Sequence, residues 1–242
     1  TNPAVSFNHK LGINVSATLP PLSSVATMII KCYKDKYANL EYLAKKQAFS
    51  REIALLIEAF CSLRLNILIA GERNTLKTSL LSAMAKKIPQ NDNAVVIDYC
   101  NEFKINSSNV VSYNFASLKD DKKEKLIKTF FSANPDKVFI NDCPHEDFKN
   151  YIEHLNEGYK GLVATICAKD MQSALEKISN TQCFDVLIFT QRIDALRRIA
   201  SISLIKPDGK TEDIFCTKDE IQHASSGIVP DFYFEIELYL DQ

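Results

Sequence analysis

The sequence predicts an α/β protein: a mostly parallel sheet flanked by helices, closed by a C-terminal β-hairpin and preceded by the end of a separate β-containing region. Three observations carry this. Short apolar runs alternate with segments of helical spacing through the middle of the chain, the rhythm of βαβ units. The runs are rich in Val, Ile and Leu with little in–out alternation, as strands buried on both faces are. At 242 residues, with 46% hydrophobic and 24% charged side chains, the chain is long enough to bury a substantial core and has the composition of a folded domain.

The elements follow in order. Residues 1–45 read as the end of an N-terminal domain and a linker, with β-rich runs at Ile13–Leu19 and Val25–Lys31 around Pro20 and Pro21. From residue 46 a second domain begins. Ser50 introduces a helix to about Leu63, with Ile53, Leu56, Ile57 and Phe60 on one face. Leu65–Ala70 is a buried strand interrupted only by Asn66, followed by a loop and a helix over about Lys77–Lys87. Strands at Ala94–Tyr99, Asn109–Tyr113 and Lys137–Asn141 and a helix over Lys119–Ser132 continue the alternation. Glu146–Gly158 reads as a helix, Gly161–Ile166 as a strand, Met171–Ser179 as a helix and Val186–Arg192 as a strand. Beyond Arg192 the pattern turns to hairpin strands at Arg197–Ile205 and Thr211–Cys216 around Pro207-Asp208-Gly209, then the alternating run Phe232–Leu240.

Charge and cysteine usage narrow the function. A net charge of −1 and a pI of about 6.4 give no basic footprint for nucleic acid. No apolar run approaches the ~20 residues that span a bilayer, and no secretory signal is visible. Seven cysteines without a C-x-x-C pair read as reduced, core-filling thiols, and the histidines lack zinc-ligand spacing.

The chemistry lies after the first core strand. Gly71-Glu72-Arg73-Asn74-Thr75-Leu76-Lys77-Thr78 follows the phosphate-loop pattern G-x-x-x-x-G-K-[ST], except that Leu76 stands at the second glycine. Such a loop wraps backbone N–H groups around a phosphate at a helix N-terminus, with the lysine neutralising charge and the hydroxyl meeting Mg²⁺. The candidate nucleotide-binding residues are therefore Gly71, Asn74, Thr75, Lys77, Thr78 and Ser79, with ATP or ADP as ligand. Leu76 is expected to weaken the site, because glycine there permits backbone conformations that cost an L-residue ~1–2 kcal/mol. The plainer alternative is a helix start with an exposed lysine. Strand, loop and helix together predict a P-loop NTPase core, which the resemblance described next implies to be RecA-like.

Several stretches in order resemble the traffic ATPases of secretion systems and type IV pili, most closely the CpaF or TadA type. Asn14–Leu22 (NVSATLPPL) resembles the close of that family's N-terminal domain, and Leu63–Ala70 (LRLNILIA) the strand before the phosphate loop. Val95–Ile105 (VVIDYCNEFKI) resembles the Asp box, Asn134–Asp142 (NPDKVFIND) the Walker B region, and Glu157–Lys169 (EGYKGLVATICAK) the His box. Phe184–Ser203 resembles the stretch that follows, including paired arginines at Arg197 and Arg198.

The resemblance implies roles for Asp98 and Glu102 as Asp-box acids, for Asp142 as the acid that orients water, and for Thr78 and Asp142 in holding Mg²⁺. It also implies a cytoplasmic protein peripheral to the inner membrane, a homo-hexamer or co-assembly with a related ATPase, an inner-membrane platform partner, and most of the family's N-terminal domain absent from this sequence. The departures are several. Tyr99 replaces the second acid of the Asp box, Asn141-Asp142 replaces Gly-Glu, Pro144 replaces an arginine, and Tyr159 and Cys167 replace the His-box histidines. No arginine occurs from Asn74 through Gln191, leaving Lys128 as a possible substitute cation. Tyr159 is expected to pack at a loop and Cys167 to be a buried thiol, and the plainer alternatives are Asp142 as a cap of the next helix and Asp98 and Glu102 as solvated loop acids. The expectation is a degenerate traffic ATPase with slow or absent turnover. The alternatives are an active motor with arginines lent by a neighbouring subunit, and a RecA-like nucleic-acid motor, which the charge disfavours.

Overall fold

In a computed structural model, residues 3–9, 13–32, 39–100, 102, 103, 105, 107–116, 118–178 and 181–216 are described. The run Phe232–Leu240 lies outside them. Packing divides the chain into two units, Thr1–Ala38 and Asn39–Gln242.

The first unit is a three-stranded antiparallel sheet of β1 (Ala4–His9), β2 (Ile13–Thr18) and β3 (Thr27–Cys32). Its register places Val5, Ala17 and Met28 in one cross-strand row and Phe7, Val15 and Ile30 in the next. Because side chains alternate along a strand, both rows share one face. Ser6 and Ser16, whose hydroxyls lie 3.0 Å apart, fall on the other.

The second unit carries α1 (Leu40–Lys45), α2 (Arg51–Ser62), β4 (Ile67–Gly71), α3 (Lys77–Ala85), β5 (Ala94–Asp98), β6 (Val110–Asn114) and α4 (Asp120–Ser132). It continues with β7 (Lys137–Asn141), α5 (Phe148–Asn156), β8 (Leu162–Cys167), α6 (Met171–Glu176), β9 (Val186–Ile193), β10 (Leu196–Ile205) and β11 (Thr211–Cys216). Eight strands form one sheet in the order β11-β10-β9-β4-β8-β7-β5-β6. The strands from β9 to β6 run parallel, and β10 and β11 close the edge antiparallel. This is the predicted architecture.

The sheet separates two cores, and strand alternation assigns each side chain to one of them. Ile67 and Ile69 of β4 join α1, α2 and α3 on one face. Leu68 and Ala70 of the same strand join α4, α5 and α6 on the other. In α2 the apolar stripe is Ile53, Ile57, Phe60 and Cys61, and Ser50 caps the helix through the Ile53 N–H at 3.4 Å. The helix expected over 146–158 is divided: Pro144 leads into a 3₁₀ turn at His145–Asp147 before α5 begins.

Asn66 explains the single polar break before β4. It is fully buried, and its side-chain amide donates to the carbonyls of Tyr159 and Cys183 at 2.9 and 3.0 Å. Its oxygen accepts from the N–H groups of Gly161 and Leu162, each at 3.0 Å. One side chain thus ties the entrances of β4, β8 and β9 together, with every polar atom paired.

Candidate functional site

The phosphate-loop sequence leaves the C-terminal end of β4, a central strand, and enters α3. In open α/β sheets this edge is where ligands gather. Gly71 is the pivot. Its φ is +153°, and a Cβ there would lie 2.2 Å from the Thr190 carbonyl oxygen and 2.4 Å from its hydroxyl. Only glycine lets the loop start so close to β9. Thr75 fixes the far side, its hydroxyl within 2.9 Å of the Glu72 carbonyl and 2.8 Å of the Thr190 hydroxyl. Thr190 in turn donates to the Ala70 carbonyl at 3.1 Å.

The backbone penalty expected at Leu76 is not incurred. Its φ is −153°, and its side chain is buried in the core beside α3. The left-handed residue of the loop is Asn74, at φ +63°, a residue type that tolerates that region. Leu76 is therefore a packing residue whose side chain points away from the loop's concave side.

Leu76 offers no side-chain cap to α3, and no acidic residue lies in the first turn of that helix. The helix start accordingly presents unsatisfied N–H groups and positive potential to an anion. Lys77 and Ser79 stand in that turn. Lys77 is buried and its ammonium donates to the Glu72 carbonyl at 2.7 Å. Burial pulls the Lys77 pKa down, the Asp142 carboxylate opposes this, and the Arg73 charge adds to it. Lys77 thus stands beyond the C-terminal end of β4, where the Asp142 carboxylate acts on its charge.

Thr78 donates its hydroxyl to the side-chain oxygen of Asn141 at 3.2 Å. Asn141, fully buried at the end of β7, donates from its amide nitrogen to Asp98 at 3.0 Å. Asp98 also accepts the N–H groups of Cys100 and Phe103 at 3.0 and 2.7 Å. It is therefore a buried anchor of the loop after β5, with three donors on its carboxylate, and not a solvated acid. Glu102 is half-buried and interacts electrostatically with Cys100.

Asp142 follows at φ +54°, its N–H donating to the Thr165 hydroxyl at 2.7 Å and its carboxylate accepting from the Cys100 thiol at 3.3 Å. Partial desolvation and the neighbouring Asp142 push Cys100 up to about 12, so it stays a protonated donor. Asp142 lines a small cleft together with Arg73, His145, Cys167 and Lys177.

Three expectations need correction. Cys167 is exposed, because it ends β8 one step beyond the buried run Leu162–Ile166. Cys100 is exposed as well, so two of the thiols expected to fill the core stand at this edge of the sheet. Lys128, the suggested substitute for a missing arginine, lies on the exposed side of α4 with its ammonium on Glu124 at 2.7 Å. Tyr159 packs edge-on to Phe131 and donates to the Pro135 carbonyl at 3.0 Å, as expected of a loop-packing aromatic.

The donor set suits a polyphosphate: an uncapped helix start, a buried ammonium and a hydroxyl at one strand edge. Among the described residues no three His, Cys, Asp or Glu side chains gather as metal ligands. A Mg²⁺ ion would accordingly be held by Thr78 and Asp142 with ligand oxygens and water making up the rest.

No protein-family model matches the chain. Among curated proteins it is 23% identical over 154 residues to the type IV secretion system protein VirB11 of Bartonella quintana, covering 61% of this chain and 43% of that protein. It is likewise 23% identical over 170 residues to the conjugal transfer protein TrbB of Rhizobium radiobacter, covering 69% of this chain and 52% of that protein. The crystal structure of the VirB11 ATPase from the Brucella suis type IV secretion system, solved with sulphate, superposes with a TM-score of 0.54 at 16% identity, over 84% of this chain and 74% of that one. The chain is similar in sequence to secretion and conjugal-transfer proteins of the traffic ATPase type and shares the fold of the solved ones. It spans less than half the length of the VirB11 relative and about half that of TrbB. What sequence reasoning missed at this site is the supporting shell. Asn141 beneath Thr78, and Thr190 beneath the loop, become neighbours of the site only once the strand order is known.

Proposed function

We propose that this chain, a traffic ATPase of the CpaF or TadA type, binds Mg-nucleotide at the loop Gly71–Thr78 and hydrolyses it slowly or not at all. In this reading it serves a secretion or pilus-assembly machine as a structural or regulatory component. Lys77 and the start of α3 hold the phosphates, Gly71, Asn74 and Thr75 shape the loop, and Thr78 with Asp142 holds the cation. Bound nucleotide would supply the phosphoanhydride, and the cation would neutralise its charge.

The observation that carries the reading is the partner of Thr78. Its hydroxyl is held by the neutral amide of Asn141, and Asp98 behind that amide is already engaged by three donors. This leaves Asp142 as the one carboxylate lining the cleft. Binding groups are thus retained while charge positioning for turnover is thinned, and a misplaced catalytic group costs on the order of 10²-fold. The assembly proposed is a homo-hexamer or a co-assembly with a related ATPase, docked on an inner-membrane platform protein from the cytoplasmic side. Among the described residues no helix is long and apolar enough to cross a membrane.

Titration calorimetry with Mg-ATP, paired with a phosphate-release assay, tests this. Binding that is lost in Lys77→Ala, with release near background, is the expected result. Turnover at the rate of an ordinary motor would instead establish the second reading, an active ATPase, which is favoured by the closeness of Asp142 to Lys77.

A further inference from the structure

Arg73 is the third residue of the loop that runs from Gly71 to Lys77, and it is exposed. Its side chain lines the cleft walled on the other side by Asp142. The other cations near this cleft are already engaged. Lys177 donates to the Cys167 carbonyl at 2.6 Å, and Lys77 to the Glu72 carbonyl at 2.7 Å. Arg73 takes part in none of the ion pairs among the described residues. Its charge is felt at Lys77, where it adds to the lowering of the ammonium pKa by burial.

From this geometry we propose that Arg73 is the specificity-determining residue that distinguishes nucleoside triphosphate from diphosphate, by pairing with the terminal phosphate group. The inference rests on the nucleotide reading above and assigns its discriminating contact. The start of α3 and Lys77 hold the phosphates nearest the helix. A chain one phosphate longer extends into the cleft, where Asp142 waits with the cation and Arg73 faces it. A guanidinium presents a planar fork that matches two phosphate oxygens, which an ammonium does not. No arginine occurs from Asn74 through Gln191, so between Arg73 and Arg192 the chain offers no other such fork. The role is recognition in cis, by the loop itself.

The test is an equilibrium fluorescence titration of the intact chain with mant-ATP and mant-ADP in Mg²⁺, for wild type, Arg73→Ala, Arg73→Lys and Lys77→Ala. Wild type is expected to bind the triphosphate at least about tenfold more tightly, the size of one charge-assisted contact. Arg73→Ala should bring the ratio close to one while its ADP affinity stays near wild type, and Arg73→Lys should recover only part of the ratio. An unchanged ratio in Arg73→Ala overturns this inference and leaves the nucleotide reading standing. Failure of wild type to bind either nucleotide overturns both. Arg73 is an exposed loop residue, so matching melting curves for Arg73→Ala and wild type confirm that the fold is not the variable.

Discussion

Two buried polar residues set opposite expectations for mutation. Asn66 makes four side-chain hydrogen bonds to backbone groups of two neighbouring segments. Asn66→Ala strands those groups in the core, and each unsatisfied one costs ~1–3 kcal/mol. The variant should lose at least ~3 kcal/mol in urea denaturation, among the larger single-residue losses. Lys77 is the reverse case. Burial lowers its pKa from 10.5, so the folded state holds this proton less tightly than the unfolded chain and the charged form is the destabilising one. That penalty is present at neutral pH and is relieved as pH rises through the folded pKa toward 10.5. Lys77→Met should therefore raise the melting temperature of nucleotide-free protein, by ~0.5–2 kcal/mol of stability, while abolishing the calorimetric signal for Mg-ATP. A drop in melting temperature would show that the bond to the Glu72 carbonyl outweighs desolvation.

Among the elements, the β9–β10 hairpin carries a removable strain. Asp194 and Ala195 both have positive φ, +49° and +63°, the signature of a tight two-residue turn in which glycine is favoured at the second place. Ala195 incurs ~1–2 kcal/mol in that region, against which glycine's greater unfolded-state freedom offsets ~0.4–1 kcal/mol. Ala195→Gly should thus be more stable by roughly 0.5–1 kcal/mol, seen as a higher urea midpoint at unchanged slope.

How much of the architecture was legible also shows at this scale. Strands buried on both faces, such as Val138–Ile140 in β7, announce themselves as unbroken apolar runs, and helices with a capping serine and a stripe, such as α2, declare start and face. β1 escaped because Ala-Val-Ser-Phe-Asn-His alternates too weakly to stand out before its pairing with β2 is known. In the candidate site, Lys77 and Thr78 stand out by their spacing from Gly71, and Asp142 by its place after an apolar run. Leu76 was misjudged because sequence gives a residue type and not its φ, and Cys167 because a strand's last residue reads like its buried neighbours. Thr190 belongs to an apolar run in β9, and nothing local marks it as a support for a loop more than a hundred residues away.

For the molecule as a whole, the two cores of the second unit start at Leu40 and Leu68 and contain no earlier residue among those described. A chain beginning at Asn39 should therefore keep the urea midpoint of the larger unit, monitored by far-ultraviolet circular dichroism. A clear fall in midpoint would show that residues 1–38 contribute to its stability. The closed edge of the sheet has a further consequence. Because Thr190 grips both Ala70 and Thr75, the hairpin and the phosphate loop work as two arms of one lever with its fulcrum at a single hydroxyl. A pull on the tip at Asp194 should then be felt in the loop, and by reciprocity nucleotide in the loop should slow hydrogen exchange at the tip.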